Sequence, residues 1–313
     1  MILRRIAAIV PMMLVVSFLV FGLTLFLPGD AAVTLAGENA SPQRVEEIRQ
    51  ALDLDDPLLE RYGSWLADAA HGDLGRSLFS KRPVVSEIAA RWTVTLQLVI
   101  GAMLVALVIG VPAGIIAGRF HGRWIDRVAT IGASVGVAVP SFVIGLWLIV
   151  LLAVWLELLP FAGYVEFGED PGEWLKRMII PVLALSASMI AELTRQIRSA
   201  LVETLGEDYI RTARAKGLRE RTVITKHALR MAVSPALAVL AVHMARLFGG
   251  AVVVEEVFAL PGLGRLTVES IIQRDLPILQ GVIPLAVLIT IVCTLFADLA
   301  QIALNPRLRL TGR

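Results

Sequence analysis

The sequence predicts an all-α polytopic membrane protein with six transmembrane helices. Of its 313 residues, 57% are hydrophobic and only 18% are charged, which is a larger apolar share and a smaller charged share than soluble globular domains have. Six apolar runs approach or exceed the roughly 20 residues that a helix needs to cross the hydrocarbon core of a bilayer. The connections between these runs alternate in charge bias, as a multi-pass topology requires.

The six predicted spans are residues 6–27, 93–117, 128–152, 178–192, 236–257 and 282–304. The fourth is short unless its polar end is included. The first follows a basic start like that of a secretory signal, but its apolar run is longer than the roughly 7–15 residues of a signal and no A-x-A cleavage site follows. We therefore expect it to remain as a membrane span.

Basic residues concentrate in alternate connections between the spans. Residues 195–230 carry nine Lys and Arg against four acids, and residues 118–127 carry three Arg against one Asp. The bias reverses in residues 157–177, which carry five acids against two basic residues. Because Lys and Arg concentrate in cytoplasmic loops, this pattern predicts a cell-membrane protein with both termini in the cytoplasm.

The long first connection, residues 28–92, is predicted to form a helical extracytoplasmic insert between the first two spans. Ser41 before Pro42, and Asp56 before Pro57, are typical N-cap and N1 pairs, so each pair predicts the start of a helix.

Glycines at helical spacing occur in two of the spans. Gly110, Gly114 and Gly118 recur every four residues in the second span, and Gly132 and Gly136 do so in the third. Small residues at this spacing let helix backbones pack closely in lipid, so we expect interfaces between helices. A pore lining is the alternative interpretation of the same pattern.

Four ionisable residues lie within or near the fifth span and form a candidate substrate path: His243, Arg246, Glu255 and Glu256. An ionisable group at this depth is costly unless it pairs or faces water. One interpretation is pairing with an acid such as Glu192 or Asp298. The other is that Arg246 faces a wetted path and meets a substrate carboxylate.

A basic segment separates the fourth and fifth spans and contains a predicted short helix. Glu207 and Asp208 lie near its start, where acids favour the positive end of the helix dipole, and Gly217 is a natural stop. Ile210, Ala213 and Gly217 fall at helical spacing, so this face could enter a groove on another protein. Composition alone favours the other interpretation, a solvated basic loop that topology requires.

The segment resembles a known motif. YIRTARAKGL at residues 209–218, followed by KHALR at 226–230, is similar to the EAA motif of binding-protein-dependent ABC importer permeases, in the dipeptide, oligopeptide and nickel branch. Arg211 stands where the general motif has Glu. The likeness covers nearly the whole chain through GDLGRS at 72–77, PSF at 140–142, EEVFALPGLGRL at 255–266, RDLP at 274–277 and ALNPRLR at 303–309. The long first outer loop resembles that of the B-type dipeptide permease subunit.

The resemblance implies the type I ABC importer permease fold over residues 1–313, with residues 201–235 as the cytoplasmic coupling region. Its helix would dock in a cleft of an ATPase subunit and transmit nucleotide-driven movement to the spans. The docking residues that the resemblance implies are Glu207, Asp208, Tyr209, Ile210, Arg211, Thr212, Ala213, Arg214, Ala215, Lys216 and Gly217.

The resemblance also implies partners and cargo. We expect a second homologous permease subunit in a heterodimer, two ATP-binding subunits and an extracytoplasmic binding protein that delivers dipeptides or short oligopeptides. Nickel or another small solute is the alternative cargo. The chain has no GxxxxGK(S/T) phosphate loop, so we expect it to be non-catalytic and to leave ATP and Mg²⁺ to partner subunits. We also expect it to bind no metal, cofactor or nucleic acid.

Two other classes fit the sequence less well. Secondary transporters of this size more often show inverted repeats with broken helices, and we find none in the sequence. An intramembrane protease would need Ser/His, paired Asp or HExxH elements within its spans, and these do not occur.

Overall fold

The computed structural model describes residues 2–22, 32–33, 41–51 and 56–304, and this part of the chain is overwhelmingly helical. Its only β feature is an isolated bridge between Arg76 and Pro83. The all-α prediction is therefore confirmed. The α-helices are α1 Ile2–Gly22, α2 Pro42–Ala51, α3 Leu58–Ala70, α4 Val84–Arg119, α5 Trp124–Ala138, α6 Ser141–Leu148, α7 Pro171–Leu205, α8 Asp208–Ala215, α9 Leu229–Val257, α10 Leu263–Gln273 and α11 Leu276–Leu304.

Three helical stretches within the described ranges are long and apolar enough to cross a membrane: Val84–Arg119, Pro171–Leu205 and Leu276–Phe296. A fourth span results if α5 and the helix that follows it count as one. Residues 23–27, the end of the predicted first span, lie outside the described residues. The multi-pass prediction is confirmed, and the number six remains a prediction.

The predicted third span, residues 128–152, is not one straight helix. The chain bends by 108° between α5 and the following helix, and Val139 before Pro140 is extended, with φ −89° and ψ 126°. Proline lacks an N–H and disfavours the helical conformation in the residue before it, so the helix ends there and restarts as α6. The restarted helix continues as a π-helical segment, Ile149–Trp155.

The chain divides into two compact units, of which the first comprises Met1–Thr93 and Gly262–Ile289. Its core contains Val84, Ile88, Leu263, Leu266, Ile278 and Val282. The Asp275 carboxylate, only 3% exposed, accepts hydrogen bonds from Ser77 Oγ at 2.5 Å and from the Leu78 backbone N–H at 3.1 Å. The turn between α10 and α11 is thereby fastened to the loop that follows α3.

Both helices predicted within residues 28–92 are present as α2 and α3. The helix α2 begins at Pro42, as predicted. The helix α3 begins one residue later than expected, because Pro57 with ψ 137° occupies the N-cap position instead of N1.

The second unit comprises Val94–Pro261 and Thr290–Arg313. Here α7 packs against α4, α5 and α9 through a large apolar core. A Cβ added at Gly114 would lie 2.8 Å from Ile197 Cβ, and those at Gly110 and Gly118 would be comparably crowded by α7. These contacts and that of Gly136 with Ala191 confirm the predicted interfaces. For Gly132 the prediction is wrong within the described structure, since a Cβ there meets nothing within 4 Å.

Candidate coupling surface and polar pocket

The predicted short helix of the basic segment is present as α8, Asp208–Ala215. It ends as predicted at Gly217, whose φ is +75°. The Gly217 N–H donates to the Arg214 carbonyl at 2.9 Å, and the Leu218 N–H donates to the Ala213 carbonyl at 3.3 Å. This pair of bonds is a Schellman motif, which needs a left-handed residue that glycine adopts without steric cost.

The apolar face of α8 points into its own chain. Ile210 and Ala213 are 0% and 7% exposed. They belong to a small core with Leu201 of α7 and with Val223, Ile224 and Ala228 of the π-helical segment Val223–Ala228. We expected this face to enter a groove on another protein, and that expectation is wrong for Ile210 and Ala213. The segment after α8 returns beneath the helix and supplies the apolar partner, and burying one Ile side chain is worth about 1.5–3 kcal/mol.

The exposed face of α8 is polar and carries most of the candidate docking residues. Tyr209 is 45% exposed, and burial of the rest of its ring together with the nearby Glu207 raises the pKa of its hydroxyl, which keeps it protonated as a donor. Arg211 Nη1 donates to Asp208 Oδ1 at 3.2 Å. The exposed candidates are Glu207, Asp208, Tyr209, Arg211, Thr212, Arg214, Ala215, Lys216 and Gly217.

A two-pronged ion pair fastens α8 to the turn that follows it. Arg214 Nη2 and Nε donate to the two carboxylate oxygens of Glu220 at 2.8 and 3.1 Å. The Arg214 guanidinium holds the pKa of Glu220 below its usual value, and Glu220 raises the pKa of Arg214. Bidentate pairs of this kind add geometric specificity to their energy. The Schellman turn, the ion pair and the buried face together seat α8 firmly on its own chain.

A buried carboxylate lies in the other basic connection, and sequence reasoning missed it. Asp126 is 3% exposed and pairs with Arg198 of α7 through Arg198 Nε and, at 2.9 Å, through Nη2. The Gly122 N–H and the His121 ring also lie within hydrogen-bond distance of Asp126. The sequence does contain one indication of this buried ion pair, because Asp126 is the single acid among the arginines of residues 118–127. The pair ties this connection to the end of α7 that precedes α8.

The candidate substrate-path residues do not all come together. His243 and Arg246 of α9 line one pocket of about 140 Å³, with Ser188 and Glu192 of α7 and Ser141 of α6. Glu255 lies outside that pocket: it is fully buried and accepts a hydrogen bond from Thr95 Oγ1 at 2.6 Å. Glu256 is exposed and does not line the pocket either.

Arg246 is exposed and has no ion-pair or hydrogen-bond partner among the described residues. Glu192, one of its expected partners, instead binds Arg195 with both carboxylate oxygens at 2.8 Å. The side chain of the other expected partner, Asp298, lies outside the described residues. Within the described chain, no group of three or more His, Cys, Asp or Glu residues could hold a metal ion. The pocket thus brings the Arg246 guanidinium and the His243 imidazole together with two serine hydroxyls and the Glu192 carboxylate.

Comparison with known families accounts for almost the entire chain. Residues 110–310 match the family described as binding-protein-dependent transport system inner membrane component, and residues 1–99 match the N-terminal region of such membrane components. The chain belongs to this permease family. The resemblance drawn from the EAA-like segment is thereby confirmed.

Relatives match this permease from end to end. It is 40% identical over 309 residues, 99% of this chain and 98% of the relative, to a protein of Brucella abortus strain 2308 that is named as a candidate peptide transport system permease. It is 40% identical over 308 residues, 98% of each chain, to the glutathione transport system permease protein GsiC of Escherichia coli strain K12.

The fold also matches a solved transporter. An inward-facing structure of the MetNI methionine ABC transporter superposes with a TM-score of 0.58 at 18% identity, covering 71% of this permease and 97% of that chain. At this identity the likeness shows the fold alone. The predicted relation to ABC importer permeases is therefore confirmed for the fold.

Proposed function

We propose that this permease is the transmembrane subunit of an ATP-driven importer that takes up dipeptides or short oligopeptides. The observation that carries the proposal is the end-to-end similarity to proteins named for peptide and glutathione transport. Glutathione is itself a tripeptide. Charged peptide termini cannot cross hydrocarbon without a protein-lined path. The permease supplies half of that path and is not an enzyme.

The proposed assembly contains a second homologous permease as a heterodimer partner, two ATP-binding subunits that use ATP and Mg²⁺, and an extracytoplasmic binding protein. The permease termini are cytoplasmic, and residues 28–92 lie outside. Residues 201–235 form the coupling region. The exposed face of α8 docks in an ATPase subunit, and the buried face transmits movement. Support for this division comes from the packing of Ile210 against Leu201 of α7.

Arg246 is proposed to bind the carboxylate of the passing peptide. Arg246 has no partner among the described residues, and the acid in the pocket lining, Glu192, already binds Arg195. The guanidinium therefore suits an anionic group and disfavours a metal cation such as nickel. The pocket volume of about 140 Å³ is below the roughly 300–1,000 Å³ of small-molecule sites. The second permease therefore completes the site.

The experiment compares uptake of a free-acid dipeptide with that of its C-terminal amide by the complete, reconstituted importer. For Arg246→Ala we expect uptake of the free acid at low concentration to fall by about tenfold to a hundredfold, the cost of a hydrogen bond to a charged group. Uptake of the amide should change much less. Arg246→Lys should retain part of the free-acid uptake.

Two controls make the comparison decisive. Co-purification of the second permease and the ATPase subunits shows that each variant assembles. Substrate-stimulated ATP hydrolysis with a panel of peptides and Ni²⁺ tests the cargo class. Stimulation by Ni²⁺ and not by any peptide would refute peptide import, whereas equal losses for acid and amide would refute only the carboxylate contact.

A further inference from the structure

A second pocket, in the first unit, is larger and far less polar than the pocket around Arg246. It measures about 470 Å³, within the range of roughly 300–1,000 Å³ that is typical of sites for small organic molecules. Three helices contribute its walls, α1, α3 and α11. Its lining residues are Ile9, Val10, Met13, Leu14, Ser17, Trp65, Leu66, Ala69, Ala70, Leu74, Gln280, Gly281, Pro284, Leu285 and Leu288.

Two polar groups in these walls have no hydrogen-bond partner in the part of the chain that the structure describes. Gln280 is 8% exposed, and its carboxamide makes no hydrogen bond to any described residue. The indole Nε1 of Trp65 is buried and also has no hydrogen-bond partner among the described residues. A buried donor without a partner, as Trp65 Nε1 is among the described residues, is uncommon in folded proteins and calls for a specific explanation. A ligand that brings a hydrogen-bond acceptor into this pocket would supply one for both.

The polar groups mark one end of the pocket. Trp65 lies beside Phe21, with ring centroids 6.1 Å apart, and the neighbouring Tyr62 hydroxyl lies 2.9 Å from Ser17 Oγ. These contacts place Trp65 near the C-terminal end of α1, and Gln280 lies in the second turn of α11. Under the predicted topology both positions are at the outer surface of the membrane, the level at which Trp and Tyr side chains concentrate.

The rest of the pocket is a slot that runs inward. From Ser17 back to Ile9, and from Gln280 on to Leu288, each wall covers nine residues, whose eight rises of about 1.5 Å make about 12 Å of helix. These stretches contribute Val10, Met13, Pro284, Leu285 and other apolar side chains. The pocket thus has a polar end at the outer surface and an apolar body that reaches into the hydrocarbon core.

We propose that this pocket binds one acyl chain of an outer-leaflet phospholipid, with its ester carbonyl accepting from Trp65 Nε1 and from the Gln280 amide. An ester fits better than a free fatty acid, because the lining contains no cationic side chain to pair with a carboxylate. The bound chain fixes α3 against α1 and α11, so the lipid acts as a structural ligand of the first unit.

The test uses the complete importer in nanodiscs that contain a phospholipid with a photoreactive diazirine near the end of one acyl chain. After illumination we expect labelling of residues 9–14 and 284–288. Ala69→Trp fills the slot and should lower this labelling at least fivefold. Ala67→Trp is the matched control, because Ala67 is exposed on the same helix and does not line the pocket.

A competition experiment tests the polar end. An ether-linked phospholipid lacks the ester carbonyl, so it should compete for the site roughly threefold to tenfold less well than the ester lipid, the usual worth of a hydrogen bond. In Gln280→Leu this difference should shrink or disappear.

Two results would overturn the proposal. Equal labelling of the Ala69→Trp and Ala67→Trp complexes would mean that the lipid merely surrounds the helices. A photoreactive amino acid at Leu285 that forms an adduct with the second permease subunit, with no lipid adduct, would mean that protein fills the pocket. Neither result depends on whether the importer carries peptides.

Discussion

Replacing one residue on each face of α8 tests which face serves which purpose. Ile210 is fully buried in the small core beneath the helix, whereas the neighbouring Tyr209, about 100° further round the helix, is 45% exposed. An Ile-to-Ala change in a core typically costs about 2–5 kcal/mol. An isolated helix shorter than roughly 12–15 residues is marginal in water, so α8 depends on this core for its structure.

The expected effect of Ile210→Ala is therefore local unfolding. Since about 1.4 kcal/mol corresponds to a tenfold change in an equilibrium constant, we expect amide hydrogen exchange in residues 208–217 to accelerate at least tenfold in the intact complex. Tyr209→Ala should leave exchange unchanged. It should instead weaken association with the ATPase subunit, measured by co-purification and by substrate-stimulated ATP hydrolysis.

The two variants control for each other. If Ile210→Ala left exchange unchanged, the buried face would not hold the helix. If Tyr209→Ala left ATPase association and coupling intact, the exposed face around Tyr209 would not dock. A bulky change at Gly217 cannot make this distinction, because any side chain at φ +75° strains the backbone regardless of docking.

Three further predictions follow from packing and charge. Gly114→Ala should lower the free energy of unfolding by about 1–3 kcal/mol through overpacking, seen as a lower melting temperature. Gly132→Ala should be neutral or slightly stabilising, because a Cβ at Gly132 meets no described atom within 4 Å. Asp275→Asn should cost about 1–3 kcal/mol by breaking its buried hydrogen bonds, seen as a lower melting temperature. Because Arg214 lowers the pKa of Glu220, their ion pair stabilises α8 at pH values above the unfolded pKa of Glu220 and loses this effect as the pH falls through the folded pKa. Amide hydrogen exchange in α8 should therefore be faster at acid pH. Glu220→Gln should abolish this pH dependence.

The sequence predicts local features of the proposed coupling region well, since these depend on neighbouring residues. The acids at its start and the stop at Gly217 predict α8 almost to its observed bounds, Asp208–Ala215. Helical spacing also groups Ile210 with Ala213 on one face. The packing partner of that face is the segment 223–228, which folds back beneath α8 after the turn. The sequence pattern within α8 does not predict this contact.

The same limit explains the spans and the ionisable residues. Hydropathy identifies residues 128–152 as an apolar run, but it carries no information on whether the helix is straight or bent. Pro140 is the sequence feature that marks the 108° bend. From the sequence, Glu255 and Arg246 belong to one candidate substrate path, because both lie within or near the fifth predicted span. Their surroundings separate them, because Glu255 hydrogen-bonds Thr95, and that contact joins residues far apart in the sequence.

The orientation of α8 bears directly on its proposed role as a lever. If α8 presented its apolar face to the ATPase, it would be attached to the permease only at its two ends. The connecting segments would then bend, and little of the movement would reach the membrane spans. Here Ile210 packs against Leu201 near the end of α7, and Arg198, one turn earlier, pairs with Asp126. A push on the polar face of α8 therefore reaches α7 through close-packed atoms, which transmit displacement because interiors are nearly incompressible.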